Sequence, residues 1–133
     1  QLHLLSDGDI SAALWAARPE GEFDMLLGIG AAPEGVITAT ALRGIGGVFE
    51  GRLVFRSDEE EKRAEKMIDD DLTRLWQAND LCQSEDAIFA ATGVCDGYLP
   101  GVKLNNDGTI NTFAELIDVS KGTIERRDRV HRM

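Results

Sequence analysis

The segment Gly28-Ile29-Gly30-Ala31-Ala32-Pro33-Glu34-Gly35-Val36 joins an apolar run at residues 23–27 to a sequence of helical character. Its glycines allow a tight turn, and Pro33 suits the first turn of a helix because its φ is fixed and it has no N–H to satisfy. Tight turns between a strand and a helix N-terminus are where α/β proteins hold phosphates and metals. The segment therefore predicts a strand, a ligand-binding turn and a helix.

A second loop of the same kind, Ser6-Asp7-Gly8-Asp9, follows the apolar residues 2–5 one strand–helix unit upstream. Two such loops from neighbouring parallel strands meet at one edge of a sheet. The carboxylates of Asp7 and Asp9 are suited to accept hydrogen bonds from sugar hydroxyls or to hold a cation. The structural alternative is that Asp9 is the N-cap of a helix and that Asp7 and Gly8 form the turn before it.

The chain continues this alternation and then changes character. Strands are predicted at 2–5, 23–29, 48–55 and 87–91, helices at 10–17, 33–42 and 57–76, and a helical turn at 80–84. Three further strands are predicted at 101–104, 109–119 and 123–130, with a hairpin turn at Asn105-Asn106-Asp107-Gly108. We therefore predict an α/β fold with a mostly parallel sheet, flanking helices and an antiparallel or mixed C-terminal edge.

Composition limits the classes of function. A chain of 133 residues, 43% hydrophobic and 29% charged, is expected to form a single domain over 1–133. Its net charge of −10 argues against nucleic-acid and anionic-membrane partners, which attract basic surfaces. Cys82 and Cys95 have no metal-ligand spacing, and no apolar run approaches the length of a membrane span. We expect a cytoplasmic protein with reduced thiols.

Glu34 is the candidate metal ligand in the first turn of the second helix. The alternative is that it only complements the helix dipole, which is worth ~0.3–1 kcal/mol. The preceding loop spells G-x-G-x-x-P, a poor match to the dinucleotide fingerprint, and it lacks the Lys-Ser/Thr pair of a nucleotide P-loop. A nucleotide on the Gly28 loop therefore remains a weaker alternative.

Four blocks of this sequence, in order and spacing, resemble the C-terminal part of class II fructose-1,6-bisphosphatase, the GlpX type that in photosynthetic bacteria also acts on sedoheptulose bisphosphate. They are residues 4–14, residues 28–36, Gly51-Arg52-Leu53, and residues 90–97. The resemblance implies a metal-dependent hydrolase that removes the 1-phosphate of the sugar bisphosphate with Mg²⁺ or Mn²⁺. It also implies the second domain of the lithium-sensitive sugar phosphatase fold. By motif, Asp7, Gly8, Asp9 and Ala31 match substrate-binding positions, Ala31 standing where some members have glycine, and Glu34 matches a metal ligand.

The resemblance covers only part of the family's machinery. The other metal carboxylates, the catalytic threonine region and the basic phosphate-binding segment lie in a part that these 133 residues do not contain. We therefore expect the C-terminal domain of a longer bisphosphatase, with no catalytic residue in this chain and with the N-terminal metal-binding domain missing. The complete enzyme is expected to be a dimer or tetramer of identical subunits. The competing hypothesis is a non-catalytic α/β binding or oligomerisation module.

Overall fold

The computed structural model describes residues 1–132 as four helices and six strands. The helices are α1 (Asp9–Ala16), α2 (Ala32–Ile45), α3 (Asp58–Met67) and α4 (Ala78–Leu81). The strands are β1 (Glu50–Gly51), β2 (Trp76–Gln77), β3 (Ile88–Thr92), β4 (Lys103–Leu104), β5 (Thr109–Asp118) and β6 (Thr123–Arg132). The predicted mixture of helices and strands is confirmed, and none of the helices in residues 1–132 is long and apolar enough to cross a membrane.

The main sheet has four strands, all paired antiparallel. β3 and β4 lie along one side of β5, and β6 pairs with its other side over ten consecutive residue pairs. Gly108 and Gly122, at φ +79° and +59°, provide the left-handed backbone of the turns before and after β5. The predicted strands and hairpin turn of the C-terminal region are thus confirmed, because their signals are local in sequence.

The mostly parallel sheet is not formed by the described residues. Residues 2–5 and 23–29 carry no strand assignment, and Leu4 and Leu27 are 89% and 80% exposed. The predicted strand at 48–55 contracts to β1, which pairs antiparallel with β2. A parallel strand needs hydrogen-bonding neighbours from distant sequence and cover on both faces. Within residues 1–132 the two apolar segments form no backbone ladder with each other or with another strand, and none of their leucines is buried.

The helix positions predicted from the local sequence are mostly confirmed. α2 ends at Gly46, a left-handed C-cap at φ +83°, as the glycine-rich sequence predicts. The side chain of Ser57 caps α3 by accepting a hydrogen bond from the N–H of Glu60. The predicted helix at 57–76 is too long, because Asp71 accepts both the N–H and the hydroxyl of Thr73 and so stabilises a turn instead.

The core lies where α2 crosses the sheet. Leu14 of α1, Ala41 of α2, Phe89 of β3 and Ile117 of β5 form its buried cluster. A Cβ atom at Gly44 would overlap the side chain of Ile117, so only glycine permits this approach of α2 to β5. The helix that carries Glu34 is therefore held on the sheet by close apolar contact.

A buried carboxylate joins the sheet to α1. Glu115 of β5 is fully buried, and it accepts hydrogen bonds from Arg18 at 2.8 Å, Tyr98 at 2.6 Å and Arg126 at 2.9 Å. The side chain of Arg18, just beyond α1, is itself 7% exposed. A buried charge is tolerated only when it is paired and hydrogen-bonded, as Glu115 is.

Glu115→Gln is expected to lower the free energy of unfolding by about 3 kcal/mol, because it removes the buried countercharge of Arg18 and leaves that arginine only the exposed Glu20. Urea denaturation followed by circular dichroism would measure the change. Glu20→Gln is the matched control, since Glu20 is 61% exposed and lies 3.6 Å from the same Arg18. Equal effects of the two substitutions would contradict the assigned role of Glu115.

Tyr98 is the chain's one tyrosine, so its titration is observed directly. Burial, and then the hydrogen bond to Glu115, raise its pKa to about 12 from 10.0. Because the folded pKa is the higher one, the stability from this group is complete below pH 10 and is lost as pH rises towards 12. Tyrosinate absorbance is expected to show a midpoint near 12 in the folded chain, and a midpoint near 10 would contradict this environment.

Candidate functional site

The two apolar segments, residues 2–5 and 23–29, lie side by side and lead into the two predicted binding loops. The rings of His3 and Phe23 meet edge to face with centroids 5.3 Å apart. Further along both segments, Oδ2 of Asp9 lies 3.5 Å from where a Cβ atom on Gly30 would be. Contacts at 3/23 and then at 9/30 mean that the segments run in the same direction, and they lead into the N-termini of α1 and α2.

The side chain of Glu34 folds back towards the N-terminus of α2, the helix that contains it. Its Oε2 atom accepts the backbone N–H of Ala31 at 2.8 Å, which satisfies one of the free N–H groups at the helix N-terminus. Glu34 therefore has a structural role at the helix start, through a hydrogen bond that the sequence did not predict. Its side chain is nevertheless exposed, and Oε1 has no hydrogen-bond partner within residues 1–132.

The first loop differs from the predicted capping arrangement. The N-cap of α1 is Gly8, whose φ of +88° disfavours any residue with a Cβ atom. Asp9 is the first residue of the helix and makes no capping hydrogen bond, so the prediction that it is the N-cap is wrong. Asp7 is exposed and accepts the N–H of Gly8 at 2.7 Å. The Asp9 carboxylate is not used for capping.

Gly30 is the point at which the two loops meet. Oε2 of Glu34 lies 3.1 Å, and Oδ2 of Asp9 lies 3.5 Å, from the position of a Cβ atom on this glycine. A Cβ atom there would press on the Glu34 carboxylate and touch that of Asp9, which favours glycine at this position. Ala31 lies beside them, with its N–H donated to Glu34 and its carbonyl accepting the N–H of Gly35.

The donor set suits a hard cation but is incomplete. Carboxylate oxygens are the ligands that Mg²⁺ and Mn²⁺ prefer. Asp9 and Glu34 are two such groups, and residues 1–132 contain no cluster of three or more His, Cys, Asp or Glu side chains that could hold a metal. Two carboxylates are too few to enclose such a cation by themselves.

An open cleft of about 530 Å³ begins one residue after Asp9. Ile10 and Ser11 of α1 and Ile37 of α2 line one side of it, and Thr92 and Gly93 at the end of β3 line the other. Glu115 was not among the residues predicted from the sequence. Its signal was a carboxylate between Phe113 and Ile117 on one face of the predicted strand at 109–119, where an apolar residue is expected.

The sequence of this chain matches a known protein family and several curated relatives. The family model described as bacterial fructose-1,6-bisphosphatase, glpX-encoded, matches residues 1–131. The D-fructose 1,6-bisphosphatase class 2/sedoheptulose 1,7-bisphosphatase 1 of Acaryochloris marina (strain MBIC 11017) is 33% identical, over 100% of this chain and 42% of its own length. The proteins named D-fructose 1,6-bisphosphatase class 2/sedoheptulose 1,7-bisphosphatase from Synechococcus sp. (strain JA-2-3B'a(2-13)) and Prochlorococcus marinus (strain MIT 9515) are 38% and 36% identical, over 98% and 96% of this chain.

The chain spans about two-fifths of the length of these curated relatives. The family match nevertheless covers almost every residue of the chain, including both loops that meet at Gly30. The chain belongs to the glpX-encoded family of bacterial fructose-1,6-bisphosphatases.

Proposed function

We propose that this chain is the substrate-facing part of a sugar bisphosphatase that hydrolyses the 1-phosphate of fructose 1,6-bisphosphate. The observation that carries the proposal is the approach of the Asp9 and Glu34 carboxylates to Gly30, at the N-termini of two adjacent helices. The relatives' names add sedoheptulose 1,7-bisphosphate as a second substrate.

Glu34 is the residue proposed to hold the metal, Mg²⁺ or Mn²⁺. Its free Oε1 atom is available for coordination while Oε2 remains on the N–H of Ala31. When bound, such a cation polarises a phosphoryl oxygen and lowers the pKa of a bound water. The N-terminus of α2, which begins at Ala32, adds positive potential where the phosphate would lie.

Asp7, Gly8, Asp9 and Ala31 are proposed to bind and orient the sugar. The carboxylates of Asp7 and Asp9 are suited to accept hydrogen bonds from sugar hydroxyl groups. The left-handed backbone at Gly8, between them, places both residues in one tight turn. Since the backbone N–H and carbonyl of Ala31 are both engaged at the start of α2, its contact with the sugar would be through its exposed surface or a shared N–H.

The remaining part of the enzyme is proposed to complete the domain. The exposed apolar segments 2–5 and 23–29 run in the same direction, as parallel strands do, and lack neighbouring strands within residues 1–132. Strands from the remainder of the longer protein would pair with them and form the parallel sheet of the lithium-sensitive phosphatase fold. We propose a homo-oligomeric enzyme that acts in the cytoplasm.

The purified 133-residue chain is expected to release no phosphate from fructose 1,6-bisphosphate, because one or two carboxylates cannot clamp both the attacking and the leaving oxygens. A phosphate-release assay with Mg²⁺ or Mn²⁺ measures this, and the full-length protein that contains the chain is the positive control. Metal-dependent turnover by the chain alone would overturn the proposal that the rest of the enzyme is needed to complete the catalytic site. Absence of turnover in the full-length protein would favour a non-catalytic module.

Glu34→Gln in the full-length protein is expected to lower kcat/KM about 100-fold and to raise the metal concentration needed for half-maximal activity. The amide oxygen of glutamine still accepts the N–H of Ala31, so the substitution removes the charge and keeps the helix start. Steady-state kinetics over a metal titration would measure both effects.

Glu60→Gln is the matched control. Glu60 lies in the first turn of α3 and reaches back to the N–H of Arg56 at 2.8 Å, a similar backward hydrogen bond at a different helix start. Its activity is expected to be unchanged. Near-normal turnover of Glu34→Gln at ordinary Mg²⁺ would remove Glu34 from the proposed metal site.

A further inference from the structure

The free edge of β6 is the largest unpaired stretch of backbone in the sheet. β6 is ten residues long, every one of them is exposed, and within residues 1–132 it pairs only with β5. The β5–β6 register is continuous from Thr109↔Arg132 to Asp118↔Thr123, so no bulge twists the edge away. It carries no proline, and its charged residues are of both signs, so they can pair across the edge instead of only repelling a neighbouring strand.

The direction of the backbone groups on this edge follows from the neighbouring strands. Gly93 donates its N–H to the carbonyl of Phe113, and Val119 donates to Ala87, so odd-numbered residues of β5 bond towards β3. Even-numbered residues of β5 therefore bond to β6, whose partners are odd-numbered. The N–H and C=O groups that β6 directs to its free edge belong to its even-numbered residues, Ile124, Arg126, Asp128, Val130 and Arg132.

We propose that a second copy of this chain docks on that edge, β6 against β6, in an antiparallel pairing centred on Arg127. In this register even-numbered residues face even-numbered residues, as the free backbone groups require. Its cross-strand pairs are complementary: Ile124 with Val130, Glu125 with Arg129, Arg126 with Asp128, and Thr123 with His131. Arg127 alone faces itself, and its charge is offset by Glu125, whose oxygens lie 2.7 and 2.8 Å away.

Neighbouring registers of the same parity are poor. Centring on Arg126 also places an arginine opposite itself and keeps a Glu125–Arg127 pair, but it sets Ile124 opposite Asp128. Centring on Asp128 places two aspartates opposite each other and Arg127 opposite Arg129. Of these three registers, the one centred on Arg127 alone joins Ile124 to Val130 and Arg126 to Asp128, so the side chains select it. This dimer is independent of the proposed catalytic role, because β6 contributes no residue to the site around Gly30.

Cysteine cross-linking tests the register directly. In a Cys95→Ser background, which removes the exposed native thiol, Arg127→Cys is expected to form a disulfide-linked dimer under mild oxidation, because the two copies of residue 127 face each other. Arg129→Cys is the matched control, since it lies on the same face of β6 but faces Glu125. Equal cross-linking of the two variants, or none in Arg127→Cys, would overturn the proposal.

Charge reversal tests the same surface without a covalent bond. Sedimentation of the 133-residue chain is expected to give a dimer of the 14.5 kDa protomer. Arg129→Glu is expected to weaken its dissociation constant about tenfold by creating two Glu–Glu pairs, and Glu125→Arg/Arg129→Glu is expected to restore it. Circular dichroism checks that each variant is folded. A monomer at all concentrations, or a double variant as weak as the single one, would contradict the pairing.

Discussion

Close packing of α2 against β5 is the contact on which the other features depend. Ala39 and Ala41 are fully buried, and Gly44 leaves room for the side chain of Ile117. Arg43 of α2 donates hydrogen bonds to the carbonyls of Cys82 and Ser84, both at 2.7 Å. These bonds join the segment after α4 to α2. The helix that presents Glu34 is thereby fixed in position on the sheet.

The same strand fixes α1 by a different kind of interaction. Glu115 of β5 binds Arg18 beyond the end of α1, Tyr98 in the loop after β3, and Arg126 of β6. Trp15 packs edge to face on Tyr98, with ring centroids 5.5 Å apart. Apolar contact through Ile117 and ionic contact through Glu115 therefore orient the two helices whose N-termini carry Glu34 and Asp9. This shared support is why two carboxylates far apart in sequence approach the same glycine.

Local signals account for what could be predicted from the sequence. α1, α2 and the β5–β6 hairpin were predicted to within a few residues, since apolar spacing, Pro33 and the turn glycines act over a few positions. The predicted parallel strands at 2–5 and 23–29 are not formed in the described residues, because strand pairing depends on contacts between distant segments that apolar runs alone do not specify. Glu115 was missed because a carboxylate in an alternating strand does not reveal its countercharges, which come 97 residues earlier and 11 later.

By itself, the sequence determined the helix starts, the turns, the family and the identity of the acidic residues in the two loops, because each depends on residue type over short spans. Only the tertiary structure decided that Asp9 and Glu34 face Gly30, that Asp9 is free of capping, and that Glu115 is buried with two arginines. These properties depend on contacts between distant segments, whose geometry is set by the packing of α1 and α2 on one strand.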